Sequence, residues 1–207
     1  MAARIDHTTT SGTFSLDGQT HEVDNNVWIL GDDRECVVID APHDAAEIRR
    51  LVGDRQVLAI LATHAHDDHV RVAPELAEAV GAPIFLHPDD LVLWRMTHPD
   101  TAPDRELADH QVIGVAGTGL QVLHTPGHAP GAVCLHATDL GVVFTGDTLF
   151  AGGPGATGRS YSDYSVIVDS IRQRLFSLPE QTVVHPGHGP DTTIAAEKAV
   201  LIGTGSE

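Results

Sequence analysis

The sequence predicts a layered α/β fold. Three observations carry that expectation: short apolar, β-branched runs bounded by turn residues recur along the chain, stretches of helical periodicity lie between them, and the two kinds alternate rather than segregate. The strand-like runs fall at 27–30, 36–39, 57–61, 84–86, 120–123, 132–136, 142–145 and 182–185. A first helical pattern covers 44–52. A second pattern at 70–80 is closed by Gly81 and Pro83, and a third covers 89–96. With Pro99, Pro103 and no period, 98–116 reads as a long loop. A fourth helix, 163–177, keeps Ile167, Ile171, Leu175 and Leu178 on one face, and a fifth spans 192–201. No linker or low-complexity tract intervenes, so 207 residues predict one domain over 1–207.

Composition narrows the function. The chain is 42% hydrophobic and 20% charged, and no apolar run approaches the ~20 residues a bilayer span requires, so a soluble protein with no membrane partner is expected. Twelve Lys and Arg against 29 Asp and Glu give a net charge of -17, which repels a polyphosphate backbone; nucleic acid is not an expected partner. The N-terminal residues lack the basic and apolar regions of a secretory signal, so a cytoplasmic location is expected. Cys36 and Cys134 each sit in an apolar run and read as small buried hydrophobes rather than a disulfide.

Chemistry concentrates in Thr63-His64-Ala65-His66-Asp67-Asp68-His69, which follows the run at 57–61 and precedes a helical pattern. Alternate residues of extended chain point the same way, so His64 and His66 can clasp one ion while Asp68 and His69 turn toward a second. Imidazole and carboxylate suit zinc, iron or manganese. Three further segments have the form of a strand end carrying glycine and a ligand-type side chain: His124-Thr125-Pro126-Gly127-His128, Thr145-Gly146-Asp147 and His185-Pro186-Gly187-His188-Gly189. Glycine permits the tight turn that aims such a side chain into a shared cleft, where Asp147 can bridge two ions.

Taken together, these motifs resemble the metallo-β-lactamase-fold hydrolases, most closely the glyoxalase II-like (hydroxyacylglutathione hydrolase-like) thioesterases. The resemblance covers the chain from Val27 to Leu201. It implies an αβ/βα four-layer sandwich, with two sheets face to face, helices outside and metals at one edge. Residue by residue it implies that His64, His66 and His128 hold one metal, that Asp68, His69 and His188 hold the other, and that Asp147 bridges them. The implied cofactors are two divalent metal ions, zinc first, with iron or manganese also suited. Two ions sharing a water lower its pKa from about 15.7 toward about 7, so hydroxide can attack a thioester carbonyl without a serine or cysteine nucleophile. Asp68 is the candidate catalytic residue that orients this water, and a small-molecule acyl-thiol is the expected substrate.

Rival functions on the same scaffold are a mononuclear iron persulfide dioxygenase, whose ligands would be His64, His128 and Asp147, and a lactonase or other small-ester hydrolase. The remaining histidines read as surface or packing residues, with His124 and His185 the two near enough in sequence to orient a metal-bound imidazole. Gly153-Pro154-Gly155-Ala156-Thr157-Gly158 spells a dinucleotide fingerprint, yet it lacks the preceding strand and contains proline; it is expected to be a rim loop of the cleft. Asp32-Asp33 and Asp89-Asp90 read as solvated turns or caps. Only 19 residues follow His188, too few for the helical extension with which glutathione-specific relatives grip their thiol. Substrate recognition is then expected from the 152–164 loop, with Arg159, Tyr161 and Tyr164, and from 89–116, with Trp94, Arg95 and Arg105.

Overall fold

Two six-stranded sheets lie face to face, each with helices on its outer side. The computed structural model describes residues 2–203. The first sheet runs β1 (Arg4–Leu16), β2 (Gln19–Gly31), β3 (Glu35–Ile39), β4 (Gln56–Leu61), β5 (Ile84–Leu86) and β6 (Arg105–Glu106) in chain order. The β1–β2–β3 pairings are antiparallel and the rest parallel. Helices α1 (Ala45–Val52), α2 (Asp67–Val70), α3 (Ala73–Val80) and α4 (Leu91–Thr97) connect the parallel strands. In the second sheet, β7 (Val112–Val115), β8 (Thr118–His124), β9 (Val133–Ala137) and β10 (Val142–Gly146) form an antiparallel meander. Beyond β10 lie β13 (Val183–Pro186), parallel to it, and β14 (Thr192–Thr193). A small ribbon of β11 (Leu149–Phe150) and β12 (Gly153–Pro154) follows β10, and α5 (Tyr164–Ser170) and α6 (Ile194–Gly203) complete the chain.

Strand alternation explains the layers. On β2, Val27 and Ile29 face outward to join Ile48, Leu76, Leu93 and Trp94 under α1, α3 and α4. Trp28 and Leu30 point the other way and meet Leu120, Val122, Leu135 and Phe144 between the sheets. Beyond the second sheet, Cys134, Val143 and Val184 pack on Ile167, Ile171 and Ile194. Three apolar interlayers make the predicted four-layer sandwich.

Several element boundaries differ from expectation. The ribbon of β1 and the first half of β2 was not expected, because RIDHTTTSGTFSL buries only Thr10 and Phe14 and shows no apolar alternation. Its turn, Asp17-Gly18, has positive φ at both residues, 53° and 73°, as a two-residue hairpin requires. The expected 70–80 helix is two helices, α2 and α3, with Pro74 at the start of the second. The expected loop at 98–116 contains β6 and β7, and the helix at 163–177 continues past Ser170 as a π-turn over Ile171–Leu175. Asp32 and Asp90 are buried rather than solvated; Asp33 and Asp89 are exposed.

Candidate metal centre

All seven predicted ligand positions meet at one edge of the sandwich, beyond the C-terminal ends of β4, β8, β10 and β13. The turn after β4 carries His64 and His66. His66 then caps α2, whose first turns bear Asp68 and His69. His128 follows the turn after β8, where Gly127 takes φ 130° against the backbone of Ile167 at the start of α5; a side chain there would strike that backbone. Asp147 follows Gly146 at the end of β10, and His188 follows β13.

Three imidazole nitrogens converge in the first cluster. His66 Nδ1 lies 3.1 Å from His64 Nε2 and 3.0 Å from His128 Nε2. Those separations approach the edge of about 3.3 Å of a tetrahedron of nitrogens around a zinc-sized ion. In the second cluster His69 Nε2 and His188 Nε2 are 3.3 Å apart, and Asp68 Oδ2 lies 3.3 Å from His188 Nε2. Asp147 stands between them: Oδ1 is 3.3 Å from His69 Nε2, and Oδ2 is 3.5 Å from His128 Nε2 and 3.4 Å from His188 Nε2. Asp147 Oδ1 is buried without a hydrogen-bond partner, an arrangement that a shared cation relieves. The donor set therefore fits two divalent ions.

Three of the inward-facing nitrogens, those of His69, His128 and His188, are set by a partner on the far side of the ring. Asp40 Oδ2 accepts from His69 Nδ1 at 2.8 Å; Ala156 O accepts from His128 Nδ1 at 2.8 Å; Asp24 O accepts from His188 Nδ1 at 2.7 Å. Asp40 also accepts from the backbone N–H and hydroxyl of Thr63, just before His64. None of these partners has a motif of its own. Asn25, likewise unexpected, donates to Asp68 Oδ2 at 3.1 Å. His124 and His185 do not serve this purpose: they bond Pro130 O and Asp191 instead.

Electrostatics divides the clusters. Burial holds His64 well below its ordinary pKa, lowers His66 to about 3 and lowers His128, so the first cluster presents neutral imidazoles ready to ligate. In the second, burial opposes charge on His69 and His188, yet Asp147 and Asp68 outweigh it, raising His69 well above its ordinary value and His188 to about 10. Burial likewise opposes charge on Asp68, but His69 and His188 hold it down to about 2. A divalent cation binding there exchanges for protons.

A cavity of about 210 Å³ opens onto both clusters, walled by Phe14, Val23, Phe150 and Arg159. Phe14 reaches it from the β1–β2 ribbon; the Asp17-Gly18 dipeptide is the signal that announces this ribbon in the sequence. The glycine-rich segment is a rim loop as expected: Gly155 packs so closely on the Asp147 carbonyl that a side chain would collide with it. Arg159 lines the cavity, but the expected contributions of Trp94, Arg95 and Arg105 go elsewhere. They surround a separate cavity of about 420 Å³ that shares no residue with the first, and Trp94 is fully buried. Tyr161 and Tyr164 are exposed outside the cavity lining.

Comparison with known proteins bears on the family and the fold. The chain is 32% identical over 187 residues to the "Probable metallo-hydrolase YqgX" of Bacillus subtilis, an overlap covering 84% of this chain and 89% of that one. It is 31% identical over 185 residues to "Hydroxyacylglutathione hydrolase GloC" of Haemophilus influenzae, covering 82% and 87%. A solved structure, TTHA1623 in a di-iron-bound form, superposes with a TM-score of 0.77 at 33% identity over 92% of this chain and 98% of that one. The family model for the metallo-beta-lactamase superfamily matches residues 22–192, and with the four-layer sandwich and the His/Asp clusters at its edge the chain belongs to that superfamily of metal-dependent hydrolases.

Proposed function

We propose that this single-domain protein is a dinuclear thioesterase that hydrolyses a small acyl-thiol. His64, His66 and His128 would hold one divalent ion and Asp68, His69 and His188 the other, with Asp147 serving both. The observation that carries this reading is the position of Asp147, whose two oxygens face imidazoles of both clusters. The similarity to a hydroxyacylglutathione hydrolase supports the thioester as substrate.

When bound, the ions supply a water of lowered pKa and positive charge facing the carbonyl oxygen. The chain's own part is positioning. Asn25 and His188 hold Asp68 Oδ2, and Asp68 lines the cavity, where its carboxylate orients the attacking water. Phe14, Val23 and Phe150 give the cavity an apolar wall that seats an acyl chain and thins the surrounding solvent. Neither thiol competes as nucleophile: Cys36 and Cys134 are fully buried, and burial pushes Cys134 up to about 11. Two buried, unbridged cysteines also suit the reducing cytoplasm.

The test joins metal content to turnover. Purified protein is expected to carry about two divalent metals per chain, zinc foremost, and to release free thiol from acyl thioesters. Asp147→Ala is expected to lose both metal occupancy and activity. One iron per chain with stoichiometric oxygen uptake replaces this reading with the dioxygenase.

A further inference from the structure

We infer that His87, Asp89 and His124 form a further metal site, outside the seven-ligand edge, that takes a divalent cation of the zinc type. One nitrogen of each ring and one carboxylate oxygen lie within 4.8 Å of one another. His87 Nδ1 is 3.7 Å and His124 Nε2 3.9 Å from the same oxygen, Asp89 Oδ2. Neither distance is a hydrogen bond, so the carboxylate faces both rings without satisfying either. The edge of a tetrahedron around a zinc-sized ion is about 3.3 Å, so closure asks for a shift of about half an ångström per contact. Asp89 can supply it, since its side chain is 58% exposed against 11% for His87 and 24% for His124. Two held imidazoles thus meet one carboxylate that can swing, on a side open to solvent.

The fold fixes the two rings. His87 follows β5 and caps the 3₁₀ turn Pro88–Asp90, where its Nδ1 accepts from the N–H of Asp89 at 3.4 Å. The lone pair of that ring therefore lies on the Asp89 side. His124 ends β8, and its ring stacks on that of His87 with centroids 4.0 Å apart and planes 13° from parallel. Two rings so placed cannot both carry a proton without like-charge repulsion, and burial, then His124, lowers the pKa of His87. Neutral imidazole is the form that ligates.

Imidazole with carboxylate suits zinc, cobalt or nickel, whereas magnesium and calcium take oxygen ligands. Three protein ligands leave one position for water. A net charge of -17 draws cations to this surface. Affinity stays below that of the seven-ligand edge, because His124 Nε2 donates to Pro130 O at 3.0 Å; coordination through that nitrogen breaks the bond and moves the ring proton to Nδ1. The site consequently fills only when metal is supplied in excess, and protein purified without added metal keeps the ions of the main edge alone. Once bound, the ion ties the turn after β5 to the end of β8, four residues before His128. Asp90, beside Asp89 in that turn, accepts from the N–H groups of Ala65 and Gly131, so the frame behind His64, His66 and His128 is stiffened.

The experiment titrates zinc by calorimetry into desalted, metal-loaded protein, with magnesium in excess to occupy oxygen-only sites. About one further zinc per chain is expected, with a rise in melting temperature as it binds. His87→Ala and His124→Ala are expected to abolish both the binding heat and the rise. Asp89→Asn, at an exposed position, is expected to weaken binding at least about tenfold. His110→Asn is expected to change neither: it alters a nearby His–Asp pair whose Asp109 accepts from the N–H of His124, and Asn tolerates the positive φ of that position. Absence of a further zinc, unchanged binding in Asp89→Asn or in either histidine variant, or equal loss in His110→Asn overturns the site. None of these readouts is turnover, so the site stands or falls independently of the thioesterase reading.

Discussion

Seven side chains drawn from four separated segments face one another across 3.0–3.5 Å in the two clusters. Their types and spacing were readable because each stands beside a glycine or another ligand at a strand end. The groups that orient them were not, since an orienting partner needs only one oxygen in the right place. Asp40 illustrates this: it sits alone after β3, at φ 63°, and its bonds to His69 and Thr63 arise only when β3 and β4 lie side by side. Asp40→Asn keeps a residue that tolerates positive φ but presents one acceptor oxygen where three donors converge. Its metal affinity on the His69 side is expected to fall 10–100-fold in chelator competition. His124→Ala and His185→Ala are expected to retain full metal content by elemental analysis; loss of a metal from either one contradicts the ligand set proposed here.

Short connectors between elements carry much of the precision at the edge of the sandwich. Asp90, at the end of the 3₁₀ turn Pro88–Asp90, is buried and accepts from the backbone N–H of Ala65, between His64 and His66, and of Gly131, three residues after His128. Burial pushes its carboxyl up to about 6, against the pull of those two N–H groups. A carboxyl with a higher pKa in the folded chain holds its proton more tightly when folded. Its contribution to stability is thus complete below the ordinary value near 3.8 and lost as pH rises through about 6. Asp90→Asn does not titrate and leaves one N–H facing an amide, at a cost of about 1–3 kcal/mol. In urea unfolding, wild type is expected to exceed the variant most at pH 4, the gap narrowing toward pH 7; a gap that widens contradicts this account. Gly187 is a second such point, because a Cβ there would lie 2.5 Å from Asp147 Oδ1 and 2.7 Å from His69 Cε1. Gly187→Ala is expected to keep the native circular-dichroism spectrum and bind less than half the wild-type metal. Neither position announces itself in sequence: Asp90 looks like any acidic turn, and Gly187 like any glycine after proline.

For the molecule as a whole, alternation of apolar strands and helices was sufficient to predict a layered α/β fold, since burial on both faces of a strand leaves a continuous hydrophobic run, and the four-layer sandwich came from the family resemblance. Where burial is slight the prediction failed, and it failed at the β1–β2 ribbon, whose outer half is exposed. That ribbon nevertheless matters to the whole, because β2 forms a seam with the loop after β13. Asn26 N donates to Gly187 O, and Asn26 Nδ2 donates to Pro186 O and Gly189 O. Trp28 Nε1 also donates to Pro186 O, at 3.0 Å. Trp28→Phe removes one of two donors from that carbonyl while keeping most of the packing, so a loss of about 1 kcal/mol in urea unfolding is expected.

The seam joins residues 158 to 160 apart in sequence. A ribosome releases β2 long before it makes Pro186 and His188, so the nascent chain carries His64, His66 and His69 for most of synthesis without the strand-end partners that complete the site. Contacts this distant form late, after the local helices and hairpins have closed. With the proposed ligand set, metal capture becomes a report on finished folding: an unfinished chain lacks the assembled pocket until β2 and the loop after β13 have found each other.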